Sequence, residues 1–143
     1  MLDQLELQKI LPQAYPFLLI DRVENVQPGQ SLVAIKNITS DEWPLMNCSE
    51  RLSHYPEALL IEAAAQAALV LYGANHQEQS APKPVFIGKV KAEFFSQVHV
   101  GDKVLLNVKS SRTFGNGGYS DVEILVESEK KADITAFYSI PKA

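Results

Sequence analysis

The sequence predicts an α+β domain, an antiparallel sheet of five to six strands wrapped around one long central apolar helix. Two features predict it. From Ala58 to Tyr72 the chain reads ALLIEAAAQAALVLY, which is apolar on every side of a helix except at Glu62 and Gln66. A helix of that kind is buried. After it come four segments rich in β-branched and aromatic residues, joined by short connections, which implies antiparallel pairing. One open sheet does not cover a helix that is apolar all round. A second copy is the natural cover, and a dimer is expected.

In chain order, Leu2, Leu5, Leu7, Ile10 and Leu11 fall at mixed helical spacing and predict a short helix ending at Pro12. FLLIDRVENV over 17–26 reads as a strand, Gln27-Pro28-Gly29-Gln30 as a turn, and SLVAIKNIT over 31–39 as the returning strand of a hairpin. Residues 40–55 show no period and contain Pro44. They are expected to form a long loop, which in a domain of this size is usually functional. Pro56 suits the first turn of the central helix, and Gly73 with Asn75 suits its C-terminal cap. The polar stretch Asn75–Lys83 is the nearest thing to a linker. Strands are expected over 84–95, 102–114, 118–128 and 132–140, with Gly115-Asn116-Gly117-Gly118 as a loose hairpin turn.

The 143 residues suffice for one domain, 1–143, with a single core. A net charge of −4, with no Lys/Arg cluster beyond two adjacent residues, argues against a nucleic-acid partner. No apolar run reaches membrane-spanning length, and MLDQLELQKI lacks the pattern of a secretion signal. The single cysteine, Cys48, excludes an intrachain disulfide, and a cytoplasmic location is expected. Cys48, His54, His76 and His99 have no metal-ligand spacing, so no metal is expected.

Glu62 and Gln66 are the candidate site. They stand four residues apart and project from one helix face. A carboxylate in so apolar a setting is costly unless it is partnered or lines a wet pocket. Two readings stay open. One is a satisfied buried pair with a structural role. The other is a site in which Glu62 moves a proton and Gln66 holds the carboxylate or a bound water. Taken alone, Cys48 reads as a small buried hydrophobe. His76 is expected in solvent, and His99 at the surface before the Gly101-Asp102 turn. Gly115–Gly118 is a poor phosphate loop because no helix follows it.

Two motifs resemble a known family. LPQAYPFLLIDRV over 11–23 is similar to LPHRYPFLLVDRV of the β-hydroxyacyl–acyl carrier protein dehydratases, and LLIEAAAQAA over 59–68 to their helix motif L-x-x-E-A-x-A-Q. VAIKNIT over 33–39 matches their second strand. FIGKVKAEFFSQVHVGDKV over 86–104 resembles their G-x-x-x-x-x-F…P-G-D stretch. The resemblance covers nearly the whole chain. It implies the hotdog fold, used as a dimer, and removal of water from a 3-hydroxyacyl chain. That substrate rides on the phosphopantetheine of acyl carrier protein or on CoA, and no other cofactor is implied. The family's histidine, from a G-H-F-P motif, and its helix glutamate come from opposite protomers. Glu62 and Gln66 match the helix residues, and substrate contacts are expected at Asn47, Pro56, Gly88 and Phe94.

This chain departs from the family at the histidine. Fourteen residues back from Glu62, and twelve on from Lys36, both flanks arrive at Cys48 without a gap. Asn47-Cys48-Ser49-Glu50 therefore stands in place of G-H-F-P. Gln13 stands where the first motif often has histidine, and Glu57 where the helix start has glycine. His54-Tyr55-Pro56 looks like H-F-P, but using it requires a six-residue deletion. A thiol is a poor proton acceptor from carbon near neutral pH. The expectation is a dehydratase-like protein of fatty-acid-like or polyketide-like metabolism, impaired as a homodimer. It would serve as the glutamate-donating half of a heterodimer with a histidine-bearing paralogue. Rival readings are an acyl thioesterase in which Glu62 activates water, with Asn47 or a backbone N–H as oxyanion donor, and a non-catalytic acyl-binding or interaction module.

Overall fold

The first helix begins at a reciprocal cap. Glu6 N donates to Asp3 Oδ1 at 3.0 Å, and Asp3 N donates to Glu6 Oε2 at 2.9 Å. In this computed structural model, which describes residues 1–12, 17–39, 41, 54–75 and 86–139, that cap opens α1 (Gln4–Ile10). It is followed by β1 (Arg22–Gln27), β2 (Ser31–Asn37), α2 (Glu57–Asn75), β3 (Phe86–Phe94), β4 (Lys103–Phe114), β5 (Gly117–Val126) and β6 (Glu129–Ser139). The six strands form one antiparallel sheet in the order β1-β2-β4-β5-β6-β3. No helix among the described residues is long and apolar enough to cross a membrane.

Alternation places the core. Along β5 and β6 every second residue is buried, and Val122, Ile124, Ala132 and Ile134 face inward with Leu32, Ala34, Leu106 and Val108. Against them lie Ala63, Ala64, Ala67, Val70 and Leu71 of α2, all fully buried. The alanines hold the helix close to the sheet, and α2 packs on β2, β4, β5 and β6. At its C-terminal end Tyr72 meets Tyr138 edge-on, with ring centroids 5.7 Å apart. Gly118 lets β4 and Tyr138 approach closely, because a Cβ there would collide with the Arg112 backbone oxygen and lie 2.8 Å from the Tyr138 hydroxyl.

The last strand begins at Glu129 rather than 132, the returning strand of the first hairpin ends at Asn37, and Gly117 and Gly118 open β5 instead of forming the turn. Four further departures have physical causes. Residues 17–21 do not belong to the first strand, which begins at Arg22. The backbone of Phe17 and Leu19 is engaged by a side chain of α2, and only Asp21 bonds to the neighbouring strand, through Ile35 O of β2. Gly73 is not a cap: α2 runs on to Asn75, and Gly73 is where α1 crosses, since a Cβ there would meet Ile10 Cγ2 at 2.7 Å. The strand expected over 118–128 ends at Val126. Glu127 and Ser128 form a two-residue turn with φ of 48° and 68°, although neither is Gly or Asn. Finally, most of α2 is already covered within one chain, by the sheet, α1 and the segment before β1. The side left partly open is the N-terminal stretch around Ala58, Ile61 and Glu62.

The sheet's two edges differ. On β1, Leu2 and Val23 exchange both backbone hydrogen bonds at 2.9 Å, so the N-terminus covers that edge. β3 has no strand on its outer side among the described residues, and its Phe86 is 58% exposed.

The Glu127–Ser128 turn stores strain, because a left-handed residue with a Cβ costs about 1 kcal/mol. Ser128→Gly should therefore stabilise the fold by about 0.5–1 kcal/mol. The urea midpoint should rise with no change in the slope m.

Candidate active site

Gln66 is fully buried on α2, and its amide is used on every side that the described residues offer. Its Oε1 accepts from Leu19 N at 2.9 Å, while Nε2 donates to Phe17 O at 2.8 Å and to Glu62 Oε1 at 3.1 Å. Glu62, one turn earlier, is only partly buried. The segment that supplies Phe17 and Leu19 is anchored further along at Asp21. Asp21 N donates to Ile35 O at 2.9 Å, and Asn37 N donates to Asp21 Oδ2 at 2.6 Å. Sequence reasoning missed these backbone partners and Asp21. The available signal was the FLLID run, apolar without alternation, which does not suit a half-buried strand.

The path into α2 is fixed by a crossing. Tyr55 N donates to Val98 O at 2.7 Å, and His54 bridges to His99. Around this crossing is a cavity of about 250 Å³ lined by His54, Glu57, Leu60, Phe94, Ser96 and Val98 among others. A second turn follows Val98 in the chain. His99 N donates to Asp102 Oδ2 at 2.8 Å, and Gly101 N donates to Ile38 O at 2.9 Å. The cavity therefore sits at the N-terminal end of α2, and its walls mix apolar side chains such as Leu60, Phe94 and Val98 with the polar His54, Glu57 and Ser96.

Of the residues singled out in the sequence, His54, Pro56 and Phe94 line this cavity. Glu62 and Gln66 form their own hydrogen-bonded pair and are not part of its lining within a single chain. Gly88 lies elsewhere, exposed at the register shift between Ile87 and Lys89 on β3. Asn47, Cys48, Gln13 and His76 lie outside the described residues. His99 is exposed. No cluster of three or more His, Cys, Asp or Glu among the described residues could hold a metal.

A six-stranded antiparallel sheet wrapped on a central helix is a hotdog domain. A FabA-like domain matches residues 11–135, and the chain belongs to that family. The 3-hydroxyacyl-acyl-carrier-protein dehydratase FabZ of Clostridium kluyveri is 36% identical over 129 residues, covering 90% of this chain and 88% of the relative. FabZ of Nitratiruptor sp. is 36% identical over 145 residues, covering 94% and 98%. Among solved structures, the dehydratase heterocomplex ApeI:P from Xenorhabdus doucetiae superposes with a TM-score of 0.81 at 18% identity, covering 95% of this chain and 91% of that one. The PaaI protein of the E. coli phenylacetic acid degradation operon gives a TM-score of 0.63 at 13% identity, covering 82% and 80%.

Replacing Gln66 by Leu would leave the buried Leu19 N–H without an acceptor. An orphaned buried donor costs about 1–3 kcal/mol, so Gln66→Leu should lower stability by that amount in urea titration.

Proposed function

We propose that this protein binds acyl-carrier or CoA thioesters and contributes Glu62 to the dehydration of a 3-hydroxyacyl chain, in fatty-acid-like or polyketide-like metabolism. The observation that carries the reading is the Glu62–Gln66 pair, held on the central helix of a FabA-like domain whose relatives are named FabZ dehydratases. The chemistry needs a base that takes a proton from C2 of the acyl chain. It also needs an acid that gives a proton to the departing 3-hydroxyl, leaving an enoyl thioester and water. This reading gives Glu62 the acid role. The position that should supply the base is Cys48, whose thiol lacks imidazole's near-neutral basicity.

The protein is therefore the glutamate-donating half of a mixed site, with a histidine-bearing paralogue supplying the base. A neighbour on the same fold is a dehydratase heterocomplex, which makes a mixed assembly a reasonable form for this one. The partner, copy or paralogue, is placed against the open β3 edge and the partly open N-terminal half of α2, with an interface of roughly 1,600 Å². Light scattering should report a dimer, with itself or with the paralogue. A stable monomer at micromolar concentration in the presence of both chains would overturn the assembly.

The decisive assay follows dehydration of 3-hydroxyacyl carrier thioesters. A missing general acid or base typically costs about 10²–10⁴-fold in rate, so the protein alone should be slow or inactive. Adding a histidine-bearing paralogue should restore turnover, and Glu62→Gln should abolish it without unfolding the chain. Cys48→His should restore some activity to the homodimer. Full activity of the wild-type chain alone would move the base to another residue, with His54 the first suspect.

A further inference from the structure

The chain enters α2 by crossing the segment that follows β3, and the crossing brings two histidines together. His54 lies directly opposite His99 in an antiparallel bridge. The bond beside it, from Tyr55 N to Val98 O at 2.7 Å, makes His54 and His99 a pair of the closer kind, which shares no backbone hydrogen bond of its own. Tyr55 and Val98, one place along each segment, are both buried in the core. Alternation therefore turns His54 and His99 to the outer face together. His99 is exposed there and His54 is half-buried. Both are held from behind. Asp102 accepts the His99 N–H on Oδ2 at 2.8 Å and donates its own N–H to His99 O at 3.1 Å. Pro56, two residues after His54, already accepts the first bonds of α2 from Leu59 N and Leu60 N.

We propose that His54 and His99 chelate one divalent metal ion of the zinc or copper type at the crossing that leads into α2. Imidazole is a side chain such ions favour, and two imidazoles whose Cβ atoms stand about 4.5–5.5 Å apart can reach one ion without moving the backbone. A structural zinc takes four protein ligands, so water completes this shell and the ion exchanges freely. The bound ion ties residues 54–56 to 98–99 beside the cavity that His54 lines, and so acts as a clamp on the path into α2. The site uses neither Glu62 nor Gln66 and stands apart from the dehydratase reading. Sequence spacing hides it, because the two ligands meet only through the fold.

The test titrates zinc chloride into the full-length protein, labelled with ¹⁵N in its histidine rings and followed by NMR. The His54 and His99 rings should shift together and reach their end point at one ion per chain, before His76 responds. A second ligand on the same scaffold raises affinity about 10²–10⁴-fold over one alone. Calorimetry should therefore show His54→Gln and His99→Gln each weakening zinc binding by that factor, with His76→Gln leaving it unchanged. Rings that shift at different zinc concentrations overturn the proposal, and this is read in the unaltered chain, whatever the variants do to folding. Binding that survives either variant, or that is lost in Cys48→Ser instead, also overturns it.

Discussion

The structure turns on one buried amide. Gln66 lies inside a helix whose neighbours are alanine, leucine and valine, where an unpaired polar group would cost more than most single contacts supply. Its partners are therefore obligatory, and they come from two different places in the chain. The backbone at Phe17 and Leu19 must leave the sheet to reach it, and the carboxylate of Glu62 must sit one turn away. That single requirement ties the N-terminal segment to the central helix and holds Glu62 in place. It also explains why the first strand starts only at Arg22.

The sequence makes the central helix and the sheet plain because their signals are local and repetitive. An apolar run at Ala58–Tyr72 can only be a buried helix, and the alternation along 118–126 and 132–139 can only be a strand with one face in a core. The differences arise where a local signal has a non-local cause. Gly73 has the look of a helix end, but its missing side chain serves the crossing of α1. Glu127 and Ser128 have no turn signature, yet the pairing of Val126 with Glu129 forces both into the left-handed region. The long β5–β6 ladder has enough pairing energy to impose a turn that the residues themselves disfavour.

The candidate site was legible in the same uneven way. Spacing alone put Glu62 and Gln66 on one face, because helical geometry leaves no freedom there. The gapless count to Cys48 is an expectation about the family's histidine position, and Cys48 lies outside the described residues. Nothing in the sequence named Leu19 N–H or Phe17 C=O as the other half of the arrangement, since backbone groups are the same at every residue and only the fold selects among them. The cavity at His54, Glu57 and Phe94 was likewise hidden, because it depends on residues 54–56 crossing over 96–99.

The outer side of β3 bears on how the protein is made. Its nine residues present a row of backbone groups that no described strand occupies, and such an edge accepts any extended chain that arrives first. Lys89, Lys91 and the kink at Gly88 discourage indiscriminate stacking, since a second edge would have to bury or clash with their charges. They slow aggregation without removing the template. Recovery of folded material from a cell should thus depend on stoichiometry as much as on sequence. Under the proposed mixed assembly, synthesis in step with the paralogue would cover this edge, whereas overproduction of this chain alone would leave its cover to a second copy.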